Sequence, residues 1–188
     1  MNLVMIDLET LGTVPGSVIL SIGAVVFDPD KPNTHCLGEE FYCVVQTYSC
    51  MMHDLIIDKD TVQWWNKQSP ESRKVLDQAE DLEQSDTLED SLMMLSEFVT
   101  RGTTIKGVKV WSNGANFDQP LLAVAYSKCG LPLPWEYWNS RCYRTIKSLC
   151  TNAKALEPPK VCAHNALEDA KWQARHLVTM ARSMKLKL

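Results

Sequence analysis

The sequence has no apolar run that approaches the ~18 residues of a membrane-spanning helix. Its apolar stretches, such as Val18 to Leu20 and Ala24 to Phe27, have the length of a β-strand. The first ten residues carry Asp7 and Glu9, and acids at these positions do not fit a secretory signal peptide. We therefore expect no membrane partner and a cytoplasmic location.

The sequence also lacks the cysteine spacing of a disulfide-stapled or zinc-binding domain. Its seven cysteines are odd in number and include no C-x-x-C pair, which favours reduced thiols, several of them acting as small core residues. A zinc site formed by His35, Cys36, Cys43 or Cys50 is disfavoured, because their spacing matches none of the usual zinc patterns.

No internal repeat, low-complexity stretch or long linker divides the chain. The chain has 188 residues, of which 45% are apolar and 22% are charged. This size and composition predict one globular domain over residues 1–188.

The net charge of −4 disfavours a broad nucleic-acid-binding surface. The charges are unevenly spread, since residues 71–90 hold eight acids and two bases, whereas residues 141–188 hold ten bases and three acids. Acids that bind a metal ion also count as negative although the ion neutralises them. The charge pattern leaves two interpretations open, a nucleic-acid partner or two solvated faces.

Hydrophobic periodicity and turn residues predict an alternation of strands and helices. The predicted strands are Leu3–Leu8, Ile19–Phe27, Phe41–Gln46 and Val108–Trp111. The predicted helices are Asp60–Lys67, Glu71–Gln78, Thr87–Thr100, Asn116–Cys129 with Asn116 as N-cap, 139–150 and 165–184. This order predicts an α/β fold in which a β-meander begins a mixed sheet and helices pack on that sheet.

Two acids, Asp7 and Glu9, end the first predicted strand. Because side chains of a strand alternate with a period of two, both carboxylates emerge on one face, with Cα atoms ~6.5–7 Å apart. Two ionised carboxylates repel each other unless a cation lies between them. The alternative is a strand end that simply leaves the core for solvent.

Two further motifs place acids and a histidine where helices begin. Asn116-Phe117-Asp118 leads into one predicted helix, and His164 precedes another that carries Asp169 in its first turns. Each has a structural alternative, because an aspartate near a helix N-terminus interacts favourably with the helix dipole. Together the three motifs supply four carboxylates and one histidine. These are the groups that two-metal phosphodiester hydrolysis with a histidine base requires.

The ordered set Asp7-x-Glu9, Asn116-Phe117-Asp118 and His164-x-Ala166-x-x-Asp169 resembles the three exonuclease motifs of the DEDDh 3′–5′ exonucleases, in the ribonuclease-H-like superfamily. Ser21-Ile22-Gly23-Ala24, Trp64-Trp65 and Asp169-Ala170-x-x-Gln173-Ala174 are most similar to the small phage and bacterial exonuclease and exoribonuclease branch. The resemblance spans residues 3–174 and implies a ribonuclease-H-like mixed β-sheet flanked by helices. An insert at about 28–60 and the acidic stretch 71–90 depart from the better-known relatives, which leaves the substrate preference open.

The resemblance also implies a role for each motif residue. Asp7 would bridge two divalent cations, Mg²⁺ or Mn²⁺; Glu9 and Asp169 would hold the ion on the nucleophile side, and Asp118 would act on the other ion. His164 would be the general base.

Substrate contacts are implied for the residues that follow the first motif and for one residue of the second. Thr10, Leu11 and Gly12 would hold the terminal nucleotide through backbone amides and an apolar wedge, and Asn116 would contact its sugar or phosphate. Trp64 and Trp65 point ~100° apart on a helix, so Trp64 could stack on a base while Trp65 lies in the core. The alternative places both indoles in the core.

The sequence thus predicts a metal-dependent 3′–5′ exonuclease that converts single-stranded DNA or RNA 3′ ends or overhangs to 5′-mononucleotides, in a bacterial or phage-infected host cytosol. The alternative is a catalytically silent ribonuclease-H-like module that binds nucleic acid or protein. The complete set of acids favours the enzyme, because four clustered carboxylates without an ion cost stability. A homodimer is left open.

Overall fold

The computed structural model describes residues 2–114, 116–159 and 164–188. The strands are β1 Asn2–Thr10, β2 Ile19–Phe27, β3 Leu37–Val44, β4 Val108–Ser112 and β5 Ser140–Cys142. They form one sheet in the order β3-β2-β1-β4-β5. The first three strands are antiparallel neighbours, whereas β4 runs parallel to β1 and β5 runs parallel to β4. The predicted mixed sheet that begins with a meander is confirmed.

Helices cover both faces of this sheet. Within the described residues the α-helices are α1 Thr47–Met52, α2 Lys59–Trp65, α3 Pro70–Glu80, α4 Leu88–Thr100, α5 Asp118–Lys128, α6 Tyr143–Leu149 and α7 Ala166–Ser183. The prediction did not include α1, and it placed the start of β3 at Phe41 instead of Leu37.

The prediction of one helix over residues 139–150 is wrong. Ser140 to Cys142 pair with Val110 to Ser112 as β5, and α6 begins only at Tyr143. The pairing partner lies far away in the sequence, so local periodicity carried no sign of it. The Cys142 thiol then accepts the Thr145 N–H and caps α6.

Helix α5 begins at Asp118 and not at Asn116. Phe117 occupies the N-cap position and its side chain makes no capping hydrogen bond. Asn116 is exposed. The predicted cap is wrong: the helix begins at Asp118, whose Oδ1 accepts the N–H of Leu8 at 3.2 Å and so joins the helix start to β1.

Alternate residues of β1 face two hydrophobic layers. Val4, Ile6 and Leu8 pack in the layer that contains α4 and α5. Leu3 and Met5 pack in the layer that contains α7. Asp7 and Glu9 continue the Leu3–Met5 face by the strand period of two. The sheet therefore presents both acids on the α7 side.

The start of α7 lies directly on Gly23 of β2, the residue that pairs with Asp7. A Cβ on Gly23 would lie 2.2 Å from the backbone of Ala166 and Leu167. This is far inside van der Waals contact, and a helix backbone cannot yield as a flexible side chain can. Only glycine lets α7, with Asp169 in its first turn, approach the strand that carries Asp7.

Candidate active site

A cleft of about 660 Å³ opens where β1 ends beside the start of α7. Four of the five predicted catalytic residues line it: Asp7, Glu9, His164 and Asp169. The fifth, Asp118, lies beneath the cleft with 1% of its surface exposed. A second cavity of about 850 Å³ lies between α4 and the segment 131–136, and it contains none of the predicted site residues.

Asp7 is held by a glutamine from α7. Its Oδ1 accepts a 2.7 Å hydrogen bond from Nε2 of Gln173, which is 4% exposed. Burial raises the pKa of Asp7 well above its usual range, and the charges of Asp118, Glu9 and Asp169 raise it further, while the Gln173 hydrogen bond lowers it. An ionised Asp7 therefore needs a positive charge nearby.

Gln173 had no predicted role at the site. The available signal was its position four residues after Asp169, which places both on one face of the helix.

Asp118 has one satisfied and one unsatisfied carboxylate oxygen. Oδ1 accepts the Leu8 N–H, whereas the buried Oδ2 accepts no hydrogen bond from any described residue. Burial raises the pKa of Asp118 to about 7, although backbone hydrogen bonds and the charge of Arg144 act in the opposite direction. A buried acceptor without a donor is costly unless a cation or proton satisfies it.

Glu9, His164 and Asp169 form a compact ligand cluster. One ligand atom from each lies within 4.8 Å of the others. The Oδ2 atom of Asp169 accepts the backbone N–H of His164 at 3.1 Å, and His164 has a left-handed φ of 59°. Asp169 thereby fixes the backbone from which the imidazole projects.

The two adjacent tryptophans have different environments. Trp65 is 1% exposed, and its Nε1 donates to the Thr10 carbonyl at 2.9 Å. Trp64 is 42% exposed, and the His164 ring packs against it edge-on with centroids 4.9 Å apart. One indole thus lies in the core and the other borders the cleft, while stacking of Trp64 on a base stays a prediction.

The remaining predicted substrate contacts lie at different distances from the cleft. Thr10 lines it, and its hydroxyl donates to the Gly12 carbonyl. Leu11 is 6% exposed and its N–H already donates to the Val18 carbonyl; Gly12 is also buried. The exposed Asn116 does not line the cleft, whereas Asn113 does. The roles of these residues toward substrate stay predictions.

The donor set fits a divalent cation. Four carboxylates converge, and the charges of the other three raise the pKa of Asp7. A buried oxygen of Asp118 has no donor among the described residues. Hard oxygen ligands are those that Mg²⁺ and Mn²⁺ prefer. The predicted divalent-metal site therefore has the residues it needs.

In EDTA, the Tm of the protein is expected to fall as the pH is raised from about 5 to about 7. Because the folded-state pKa of Asp118 is raised to about 7, the neutral acid contributes stability at low pH that is lost as the pH rises through that value. The measurement is thermal unfolding across this range for the protein and for Asp118→Asn.

The asparagine variant should show a shallower pH dependence, because the amide oxygen of its new side chain still accepts from Leu8 but the amide does not ionise. Asp30→Asn, at an exposed position, is the matched control and should retain the slope. An unchanged slope in Asp118→Asn would contradict this origin of the pH dependence.

Comparison with known proteins identifies the family. The profile of the 3′–5′ exoribonuclease Rv2179c-like domain matches residues 2–181. The chain belongs to this exoribonuclease family. The predicted resemblance to 3′–5′ exonucleases is therefore confirmed at the level of the family.

A curated relative of this exoribonuclease-family chain is the exodeoxyribonuclease of Enterobacteria phage T4. The two are 25% identical over 126 residues, which cover 63% of this chain and 52% of the phage protein. The chain thus matches about half the length of that relative.

Solved structures support the ribonuclease-H-like fold of this family member. The nuclease domain of 3′hExo, a DEDDh protein solved with rAMP, is 15% identical with a TM-score of 0.61, covering 97% of this chain and 92% of that one. E. coli exonuclease I, solved with a dT13 oligonucleotide, is 13% identical with a TM-score of 0.56, covering 97% and 40%. At these identities the likeness concerns the fold.

Within the described residues, no helix is both long enough and apolar enough to span a bilayer.

Proposed function

We propose that the protein is a metal-dependent 3′–5′ exonuclease of the DEDDh type. It removes 5′-mononucleotides from single-stranded 3′ ends or overhangs of DNA or RNA in the cytoplasm. The observation that carries the proposal is the convergence of Asp7, Glu9, His164 and Asp169 on one cleft above the buried Asp118. Membership in an exoribonuclease family supports it.

Asp7, Glu9, Asp118 and Asp169 are the residues that would hold two divalent cations, Mg²⁺ or Mn²⁺. When bound, such ions supply Lewis-acid stabilisation of the charge that develops on a phosphodiester. Gln173 and the Leu8 N–H orient two of these carboxylates through hydrogen bonds. Side chains held in this way lose little freedom when they bind an ion.

His164 is the proton acceptor of the proposed reaction. Its ring lies at the cleft wall between the exposed indole of Trp64 and the carboxylates of Glu9 and Asp169. Histidine can accept a proton near neutral pH. The attacking water would give its proton to the imidazole, while the fixed backbone of His164 keeps the ring at the cleft.

The cleft favours an unpaired terminal nucleotide. Its walls offer carboxylates, backbone groups and the exposed face of Trp64, and none of these distinguishes one base from another. An acidic protein also provides few cations for a duplex backbone. We therefore infer weak sequence preference and slow cutting of blunt duplex.

DNA and RNA oligonucleotides labelled at the 5′ end, incubated with Mg²⁺ or Mn²⁺, should give a ladder that shortens one nucleotide at a time. EDTA should abolish the ladder, because the carboxylates then lack their ions. A 3′-phosphate and a circular strand should resist cleavage. Comparing DNA and RNA of identical sequence also decides which sugar is preferred.

Internal fragments from a circular single strand would overturn the 3′-end requirement of the proposal. Binding of oligonucleotides without hydrolysis under any metal condition would favour the alternative of a catalytically silent binding module. Size-exclusion chromatography of the same sample decides whether the active species is a homodimer.

A further inference from the structure

A groove of about 390 Å³ lies on the other side of the α5 start from the catalytic cleft. Phe117 lines the cleft, whereas Gln119 and Pro120 line the groove. We propose that this groove, called here the Trp135 groove, binds nucleotides of the single strand upstream of its 3′ end. The proposal rests on the proposed exonuclease function, which supplies the strand.

Trp135 lines the groove and carries a buried donor without an acceptor in the described part of the chain. Trp135 is 2% exposed, and its Nε1–H donates to no acceptor among the described residues. A buried donor without an acceptor costs free energy, and a ligand whose carbonyl or phosphate oxygen reached this N–H would recover part of that cost. Nucleobases and the sugar-phosphate backbone both carry such oxygens.

An exposed aromatic side chain forms the outer edge of the groove. Tyr137 is 78% exposed and meets the neighbouring Trp138, itself 56% exposed, edge-on with ring centroids 4.8 Å apart. Exposed aromatic faces next to a groove are platforms on which unpaired bases stack without sequence preference. This matches the weak base discrimination inferred for the cleft.

Two arginines connect the groove to the cleft. Arg141 lines the groove, and its Nη1 donates to the carbonyls of Trp138 and Ser140. Arg144 donates to the carbonyl of Asn113, which lines the cleft. Within the described residues, the structure records no salt bridge between either guanidinium and a carboxylate.

Each guanidinium has five donors, so both retain donors for phosphate oxygens. The charge of the groove therefore complements a polyanionic strand. Arg144, two residues after the groove-lining Cys142, reaches the cleft-lining Asn113, so a strand in the groove would run toward the carboxylates. Its volume falls within the roughly 300–1,000 Å³ of ligand sites.

The test compares Tyr137→Ala with Tyr48→Ala, a control at a tyrosine that is 65% exposed on α1. KM is measured on single-stranded oligonucleotides of three and of about twenty nucleotides. Removing the Tyr137 platform should raise the KM for the long strand roughly 5- to 150-fold, the range that base stacking of about 1–3 kcal/mol supplies. The KM for the three-nucleotide substrate should change much less. The variant should therefore lose the lower KM that the unaltered protein has for the long strand. Tyr48→Ala should retain this difference in KM between the two lengths.

Arg141→Gln provides a second readout. Loss of one phosphate contact should reduce the slope of log affinity against log salt concentration for the long strand by about 0.7. An equal change of KM for both lengths in Tyr137→Ala, or an unchanged salt slope in Arg141→Gln, would overturn the groove assignment.

The exonuclease proposal and the groove proposal can be tested independently of each other. If the unaltered protein hydrolyses neither substrate, the exonuclease proposal fails. Fluorescence anisotropy of the labelled long strand in EDTA then still tests the groove, because this measurement needs no turnover. Weaker binding by Tyr137→Ala than by Tyr48→Ala supports the groove, and equal binding overturns it.

Discussion

Asp7→Asn is expected to abolish hydrolysis of single-stranded oligonucleotides in Mg²⁺ or Mn²⁺ and to raise the Tm of the protein in EDTA. The two effects have one cause. Asp7 would hold both ions in the proposed site, and without ions its charge is repelled by Asp118, Glu9 and Asp169. Removing the charge removes the ligand and relieves the repulsion. Activity and thermal unfolding, each with and without metal, measure both effects.

Asparagine is the informative replacement because its amide oxygen can still accept the hydrogen bond from Gln173. Asp7→Ala should lose the same activity, but it leaves the buried Gln173 amide without an acceptor. The exposed Asp30→Asn serves as the control for loss of one negative charge. Full activity of purified Asp7→Asn would refute the proposed two-metal assignment.

His164→Asn is expected to lower kcat about 10²- to 10⁴-fold, the usual contribution of a general base. Asparagine is chosen because His164 has a φ of 59°, a conformation that asparagine tolerates better than alanine. Its backbone N–H can therefore still reach Asp169. The measurement is kcat from about pH 6 to pH 9, together with oligonucleotide binding by anisotropy.

The pH dependence of kcat distinguishes a general base from a residue with a structural role. If His164 accepts the proton, the unaltered protein should lose rate at acidic pH, and the variant should bind substrate but lack this titration. His35→Asn, at an exposed histidine away from the cleft, should match the unaltered protein. An unchanged rate in His164→Asn across the range would reassign the residue to a structural role.

The positions of Asp7, Glu9 and Asp169 were predictable from the sequence because strand alternation and the start of a helix place them. Strand alternation sets Asp7 and Glu9 on one face, and the helix that follows His164 carries Asp169 in its first turn. These features are local in the sequence. The mixed sheet also followed from the order of the elements, and the structure confirms it.

The sequence did not reveal features that depend on distant partners. The β5 strand exists because Ser140 to Cys142 meet β4, and Gln173 reaches Asp7 only after α7 docks on the sheet. The different burial of Trp64 and Trp65 likewise depends on what packs against α2. Local hydrophobic periodicity does not predict contacts between residues that are far apart in the chain.

The glycine beneath α7 has a consequence for the divergence of such proteins. Position 23 has no catalytic atom, yet any side chain there would separate the helix bearing Asp169 from the strand bearing Asp7. A descendant could keep every acid and the histidine and still lose the cleft through this one substitution. Among related proteins, replacement of that glycine would therefore indicate loss of activity. A comparison of the four acids and the histidine alone would miss this loss.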